Sequence, residues 1–290
     1  MNSNSITFER ALAVAERAAR ATGSLLLRNQ HGSKRANLVT QHDIKLELDV
    51  RAQKLIERTL LSAFPQTALI GEEGVRGNPN ADYRWVVDPI DGTVNFAYGI
   101  PHSCVSIALQ ERGARTALSA RGATRRNEMR VRGRPRSDTD YEDGYNTIVA
   151  VVYDPFCNEM WTAIRGQQAR LNGKPIQVSR RARLSEAIIS IGFAKDRETM
   201  DATLPYFNKL VYRIRKIRMM GSATLALTYV ASGRFDAYIE RGIRLWDIAA
   251  GGLILECAGG EFWHKATDNQ HGYRMIATNG LLRDELKVPG

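Results

Sequence analysis

WVVDPIDGTVNF, Trp85 to Phe96, is the stretch from which the fold and chemistry of this chain can be read. Val86 and Val87 have the character of the end of a buried strand, and Asp88, Pro89, Ile90, Asp91, Gly92 and Thr93 follow at once. Two carboxylates therefore leave one strand tip together. Pro89 fixes its own φ and biases Asp88 towards an extended conformation, while Gly92 lets the backbone approach a neighbour closely. A helix starting just after Gly92 would turn free amides and its dipole towards an anion. Oxygen ligands for a hard cation beside amides for an oxyanion are the two halves of a metal-assisted phosphatase. Taken alone, the same residues also suit an ordinary tight turn. The rest of the chain decides between the two.

The 290 residues, 43% apolar and 25% charged, fit one large domain or two intimately packed ones. Glu9 and Glu16 interrupt the apolar pattern of the first helix, so no secretory core is expected, and no run of eighteen apolar residues occurs. The expectation is a cytoplasmic protein without a membrane span. Cys104, Cys157 and Cys257 are widely separated and odd in number, which suits packing better than a disulfide framework. The five histidines lack the paired spacing of zinc enzymes. Any metal is then expected to take oxygen ligands, with magnesium the natural candidate.

The net charge of +10 is concentrated: Arg112 to Arg136 holds nine arginines and a single acid, Glu128. This segment has no apolar period and several glycines, and it reads as an inserted loop at about 111–144. It offers a conceivable nucleic-acid contact, but no Phe, Tyr or Trp falls between Arg112 and Arg136 to serve as a stacking platform.

Outward from the opening stretch, Phe8, Leu12, Ala15 and Ala19 recur at helical spacing, with Gly23 a candidate interruption. His31 to Asn37 reads as a loop. A second helix carries Leu48, Ala52, Leu55, Ile56 and Leu60 on one side, with Asp49 in its first turn and Pro65 beyond its end. Ala68 to Ile70 is a short strand running into Gly71, Glu72, Glu73 and Gly74. Strands are expected at Tyr83–Val87, Cys104–Leu109, Thr147–Tyr153 and Glu159–Ile164, with a turn at Asn172-Gly173. The second half alternates: Ala187–Phe193 strand, a helix near Glu198–Leu210, Arg213–Ile217 strand, Ser222–Ala231 helix, Phe235–Glu240 strand, and Trp246–Cys257 helix closed by Gly259-Gly260. Asp247 opens that last helix.

Asp49, the Glu72-Glu73 pair, DPIDGT at 88–93 and Trp246-Asp247 ahead of a Gly-rich helix stand in the order and spacing of one family. The chain resembles the inositol monophosphatase family of magnesium-dependent, lithium-sensitive phosphatases over nearly its whole length apart from the arginine-rich insertion. The resemblance implies an α/β architecture, an αβαβα layered sandwich like that of fructose 1,6-bisphosphatase. An N-terminal α+β half (1–184) would pack on a C-terminal α/β half (185–290). It implies that Glu72, Asp88 and the Ile90 carbonyl hold a first Mg2+ and that Asp88, Asp91 and Asp247 hold a second. Asp49, Thr93 and Glu72 are the implied catalytic group, with Asp49 and Thr93 orienting the attacking water. The amides of Gly92, Thr93 and Val94 would cradle the phosphate, and Glu240 and the region of Phe193 would face the rest of the substrate. Two or three ions, inhibition by Li+ and a homodimer are implied in the same way.

The expected reaction is hydrolysis of a small phosphate monoester, with inositol monophosphate the first candidate. A nucleotide 3′-phosphate, fructose 1,6-bisphosphate or histidinol phosphate is the alternative, because the segment from Gly192 to Asp196 does not match the inositol enzymes. Other phosphatase chemistries lose required residues. A haloacid-dehalogenase-like nucleophile needs one residue between its aspartates, where Asp88 and Asp91 have two. A cysteine phosphatase needs arginine six residues after the nucleophile, where Cys104 is followed at that distance by Gln110.

Overall fold

The computed structural model describes residues 6–32, 36–39, 44–113, 141–193, 196–268 and 270–286. The arginine-rich segment expected at about 111–144 therefore lies outside the described residues between 114 and 140.

Thr7 caps the first helix, α1 (Phe8–Asn29), by accepting the Arg10 amide on its hydroxyl. The helix runs straight through Gly23 rather than breaking there. A methyl at that position would overlap the Tyr153 ring, so Gly23 is a packing glycine. The polar stretch after it leads into a small hairpin, β1 (Ala36–Val39) and β2 (Ile44–Leu46), which replaces part of the expected loop. The second helix, α2 (Glu47–Ala63), follows directly. Asp49 sits at its third position and accepts the Leu46 amide at 2.6 Å, tying down one of the unpaired donors of the first turn.

Next come β3 (Ala68–Gly71), β4 (Gly74–Arg76), β5 (Tyr83–Asp91), the short helix α3 (Thr93–Ala97), β6 (Cys104–Arg112), β7 (Tyr145–Asp154), β8 (Glu159–Ile164), β9 (Arg170–Leu171) and β10 (Lys174–Pro175). These eight strands form one sheet in the order β10-β9-β8-β7-β6-β5-β3-β4, antiparallel except for the β3/β5 pair. The chain continues through β11 (Ile188–Ile191), α4 (Arg197–Val211), β12 (Lys216–Arg218), α5 (Ala223–Ala231), β13 (Ala237–Arg244), α6 (Leu245–Cys257), β14 (Glu261–Ala266) and β15 (Gly272–Thr278). A second sheet of five strands has the order β12-β11-β13-β15-β14.

Alternation along the strands assigns each face its own core. Trp85, Val87, Val105, Ile107, Leu109 and Val151 pack under α1 and α2. Val86, Ala108, Ala150, Val152 and Trp161 face the other way, onto α5, α6 and the inner side of the second sheet. Ile189, Ile191, Ala237 and Ile239 cover the outer side together with Leu210 of α4. The result is five layers, helix, sheet, helix, sheet, helix, as the resemblance implied. Trp85 and Trp161 are both fully buried. Truncating either to alanine would cost about 3–5 kcal/mol.

The motif strand extends further than its apolar run. β5 continues through Asp88, Pro89 and Ile90 to Asp91, with its register against β6 shifting between Asp88 and Asp91. A proline has no amide for the ladder, and an irregularity is where a sheet tolerates one. The shift moves Asp91 out of the simple alternation that would have followed from Asp88.

Candidate active site

The motif places Asp88 and Asp91 at the C-terminal end of β5, both buried, at 2% and 6% exposure. Asp88 Oδ1 accepts the Ile90 amide at 2.9 Å. Gly92 then turns the chain with φ 92°, and a Cβ there would meet the His102 carbonyl at 2.9 Å and the Gly221 carbonyl at 3.1 Å. Both the dihedral and the crowding require glycine. The helix anticipated after it is the single turn α3, which begins at Thr93. Thr93 donates its hydroxyl to the Ile90 carbonyl at 2.8 Å, and Val94 is 39% exposed beside it.

Asp247 arrives from the other half of the chain at the third position of α6, held by the Arg244 amide at 2.9 Å. Asp88, Asp91 and Asp247 thereby bring one carboxylate oxygen each within 4.8 Å of one another. Burial, followed by repulsion from Glu72, Asp91 and Asp247, holds the Asp88 carboxyl well above the usual carboxylate range. Asp247 is raised as well, by burial first and then mainly by Asp91 and Glu72. Such a group of acids is costly to bury without a compensating cation. The donor set is all carboxylate, which fits a hard divalent ion and not a soft one.

Glu72 stands at the turn after β3 and is half-buried; it acts on both Asp88 and Asp247 electrostatically. Its turn is fixed from α2. Gln53 accepts the Glu73 amide at 2.9 Å and donates to the Gly74 carbonyl at 3.4 Å. Gln53 lies one helical turn beyond Asp49, and both side chains are buried. One face of α2 therefore carries Asp49 and steadies Glu72.

Tyr238 donates its hydroxyl to Glu240, the residue expected to face a substrate, and a methyl at Gly192 would overlap the Glu240 carboxylate. Burial and then Glu240 raise the Tyr238 hydroxyl, with Asp91 and Asp247 adding to the effect, so this pair lies within electrostatic reach of the aspartates. Phe193 is packed edge-to-face on Phe207 in the outer core, 5.8 Å between centroids.

Residues not singled out from the sequence complete the arrangement. Asp91 Oδ2 accepts the Ser222 hydroxyl and the Thr224 amide, each at 2.7 Å, and Oδ1 accepts the Ala223 amide at 3.3 Å. The N-terminus of α5 thus grips one aspartate of the motif, as its dipole favours. Cys104, expected from the sequence to serve packing, lies 3.8 Å from Asp91 Oδ2. Asn95 donates to the carbonyls of His102 and Met220, at 2.8 and 2.9 Å, which fastens α3 to the loop ahead of α5. A serine just before a helical run is the visible signal for the α5 cap. Nothing local indicates which carboxylate it holds.

The sequence profile of the "Inositol monophosphatase family" matches residues 8–117 and 142–284. The chain is 36% identical over 281 residues to the "Nus factor SuhB" of Escherichia coli K12, covering 96% of this chain and 92% of that protein. It is 37% identical over 254 residues to the Nus factor SuhB of Xylella fastidiosa, covering 86% and 80%. Among solved structures, the inositol monophosphatase from Anabaena (Nostoc) superimposes with a TM-score of 0.75 at 32% identity, covering 96% of this chain and 94% of that one. The extragenic suppressor protein suhB from Bartonella henselae does so with a TM-score of 0.78 at 29% identity, covering 94% and 95%.

Proposed function

The chain belongs to the inositol monophosphatase family, and on that premise we propose that it hydrolyses a small-molecule phosphate monoester with magnesium, inositol monophosphate being the first candidate. The observation that carries the reading is the meeting of Asp88, Asp91 and Asp247 from two halves of the chain within 4.8 Å. Glu72, Asp88 and the Ile90 carbonyl would hold one ion, and Asp88, Asp91 and Asp247 the other. When bound, the ions supply charge neutralisation for the phosphate and a lowered pKa for the nucleophilic water.

The chain's own residues do the rest. Thr93 and Asp49 orient the attacking water and take its proton, as a hydroxyl and a carboxylate can in sequence. The amides of Gly92, Thr93 and Val94 face the phosphate oxygens at the turn that only glycine permits. Glu240, braced by Tyr238 and backed by Gly192, faces the hydroxyls of the leaving group, and the segment after Gly192 bounds the same side, although Phe193 itself packs on Phe207 in the outer core. Sensitivity to Li+ and a homodimer belong to this reading.

The test is phosphate release from a panel: inositol monophosphate, a nucleotide 3′-phosphate, fructose 1,6-bisphosphate and histidinol phosphate, each with and without Mg2+. Preference for the first supports the full proposal. Preference for another keeps the hydrolase and changes the substrate, and negligible turnover of all four overturns it.

Relatives matched over most of this chain are named Nus factors, which favours a second reading in which the protein also works as such a factor. Nucleic-acid binding measured against salt concentration, with residues 114–140 deleted as control, tests the arginine-rich part of that reading. Binding indifferent to the deletion removes that segment from it.

A further inference from the structure

The outer face of the C-terminal sheet holds a surface of different chemistry. Its β11 and β13 side is covered by α4. Farther along the sheet lies a groove of about 330 Å3, lined among others by Ile239, Arg241, Trp263, Arg274, Ile276 and Arg283.

Strand pairing arranges these residues in two rows. Ile239 stands opposite Ile276, and Ile276 opposite Trp263. Two residues along each strand, Arg241 stands opposite Arg274, and Arg274 opposite Lys265. Residues two apart share a face, so an apolar row lies beside a row of three cations on adjacent strands. Like charges directly opposite each other across strands are destabilising. An anion laid along the row would offset that repulsion.

Arg274, in the middle, lies with its guanidinium over the Trp263 ring at 5.5 Å. Among the described residues it makes no hydrogen bond and no ion pair. Asp284 also lines the groove, and Glu261 is 3.6 Å from Arg283 at its edge. Glu240 contributes to the wall but turns its carboxylate to the other face, against Tyr238. Arg283 pairs with Glu261, and Arg241 and Asp284 have interactions of their own, so that among the described residues Arg274 and Lys265 are the cations of the row that make no ion pair.

We propose that this groove binds a nucleoside phosphate, with the phosphates along Arg241, Arg274 and Lys265 and the base against Trp263, Ile239 and Ile276. The groove has the volume of a small-ligand site, and its flat apolar row beside a cation row matches a ligand built from a planar ring and an anionic tail. The site lies on the face of β13 opposite to the one from which Glu240 and Tyr238 look towards the aspartates, and it does not depend on the phosphatase reading.

The test is calorimetric titration of the full chain with ATP, in EDTA and low salt, for the wild type, Arg274→Ala and Trp263→Ala, with inorganic tripolyphosphate and a short single-stranded oligonucleotide as further probes. The wild type should bind ATP, and Arg274→Ala should weaken it at least tenfold. That variant should keep or raise the thermal midpoint, since it removes a like-charge contact, and it should leave phosphatase turnover unchanged. Trp263→Ala should weaken ATP more than tripolyphosphate. No ATP binding by the wild type, or equal binding by Arg274→Ala, overturns the proposal. Tripolyphosphate binding as tightly as ATP overturns the base contact, and an oligonucleotide binding tenfold more tightly than ATP overturns the small-ligand assignment.

Discussion

Asp88, at the end of β5, and Asp247, at the third position of α6, come from different halves of the chain and bring carboxylate oxygens within 4.8 Å of each other. Each is fixed by a local backbone amide, from Ile90 and from Arg244, so neither can swing away without losing a bond. Two rigidly aimed carboxyl groups, each disfavoured as an anion by its surroundings, make a folded state that is improved by a cation.

Neutralising one of them separates stability from function. In metal-free protein, Asp88→Asn removes a buried charge whose protonated form is already favoured by burial and by its acidic neighbours. A raised carboxylate pKa means that the ionised form costs stability, and each tenfold change in the proton equilibrium corresponds to about 1.4 kcal/mol. The variant should therefore unfold at a higher temperature than the wild type in EDTA. It should also lose the Mg2+-dependent gain that the wild type shows. Thermal unfolding with and without Mg2+ checks both; a lower midpoint in EDTA would contradict the electrostatic reading.

Gly92→Ala should destabilise by roughly 1–3 kcal/mol, the range for a residue forced into a left-handed conformation. The added methyl also meets two carbonyl oxygens. Denaturant titration measures the loss, and the variant's affinity for inorganic phosphate should fall with it. Unchanged stability and phosphate binding would remove Gly92 from its assigned role.

Ser222→Ala deletes one of the bonds that aim Asp91. Hydrogen bonds to charged groups contribute about 1.5–3 kcal/mol, so Mg2+ affinity should weaken by up to roughly a hundredfold. Ser222→Thr keeps the hydroxyl and should retain most of it. Calorimetric Mg2+ titration of the three proteins distinguishes this from general damage, and equal affinity in all three would show that α5 does not position the ligand.

His102 gives a pH dependence of defined sign. Burial lowers its pKa below the ordinary value of 6.5, and its buried Nε2 has no hydrogen-bond partner among the described residues. The unfolded chain then binds the proton more readily than the folded one, so this group's contribution is complete above the unfolded pKa and declines as pH falls through it. Between about pH 7 and 5, where an ordinary histidine titrates, His102→Gln should lose less stability than the wild type. Parallel curves for the two proteins would contradict the assignment.

Much of the fold and of the site is legible locally. Helical and strand periods mark the α1, α2, β5 to β8 and α6 elements, and the acids of the site sit at their ends. β14 and β15 go unmarked, although they complete the second sheet and carry Trp263 and Arg274. Gly23 reads as a possible break because its partner, Tyr153, is remote in sequence. The same reason hides Ser222 and Thr224. A cap residue is recognisable from its own neighbours, but the carboxylate it holds is set by packing between halves. Gln53 is recoverable in principle, as a buried-face polar residue one helical turn after Asp49.

The most direct measurement is Mg2+-dependent phosphate release from inositol monophosphate by the wild type and by Asp247→Asn, paired with calorimetric Mg2+ binding by both. A trio assembled across the two halves predicts turnover and Mg2+ binding in the wild type, with loss of turnover and markedly weaker binding in a folded Asp247→Asn protein. Full turnover and unchanged Mg2+ affinity in Asp247→Asn would contradict it.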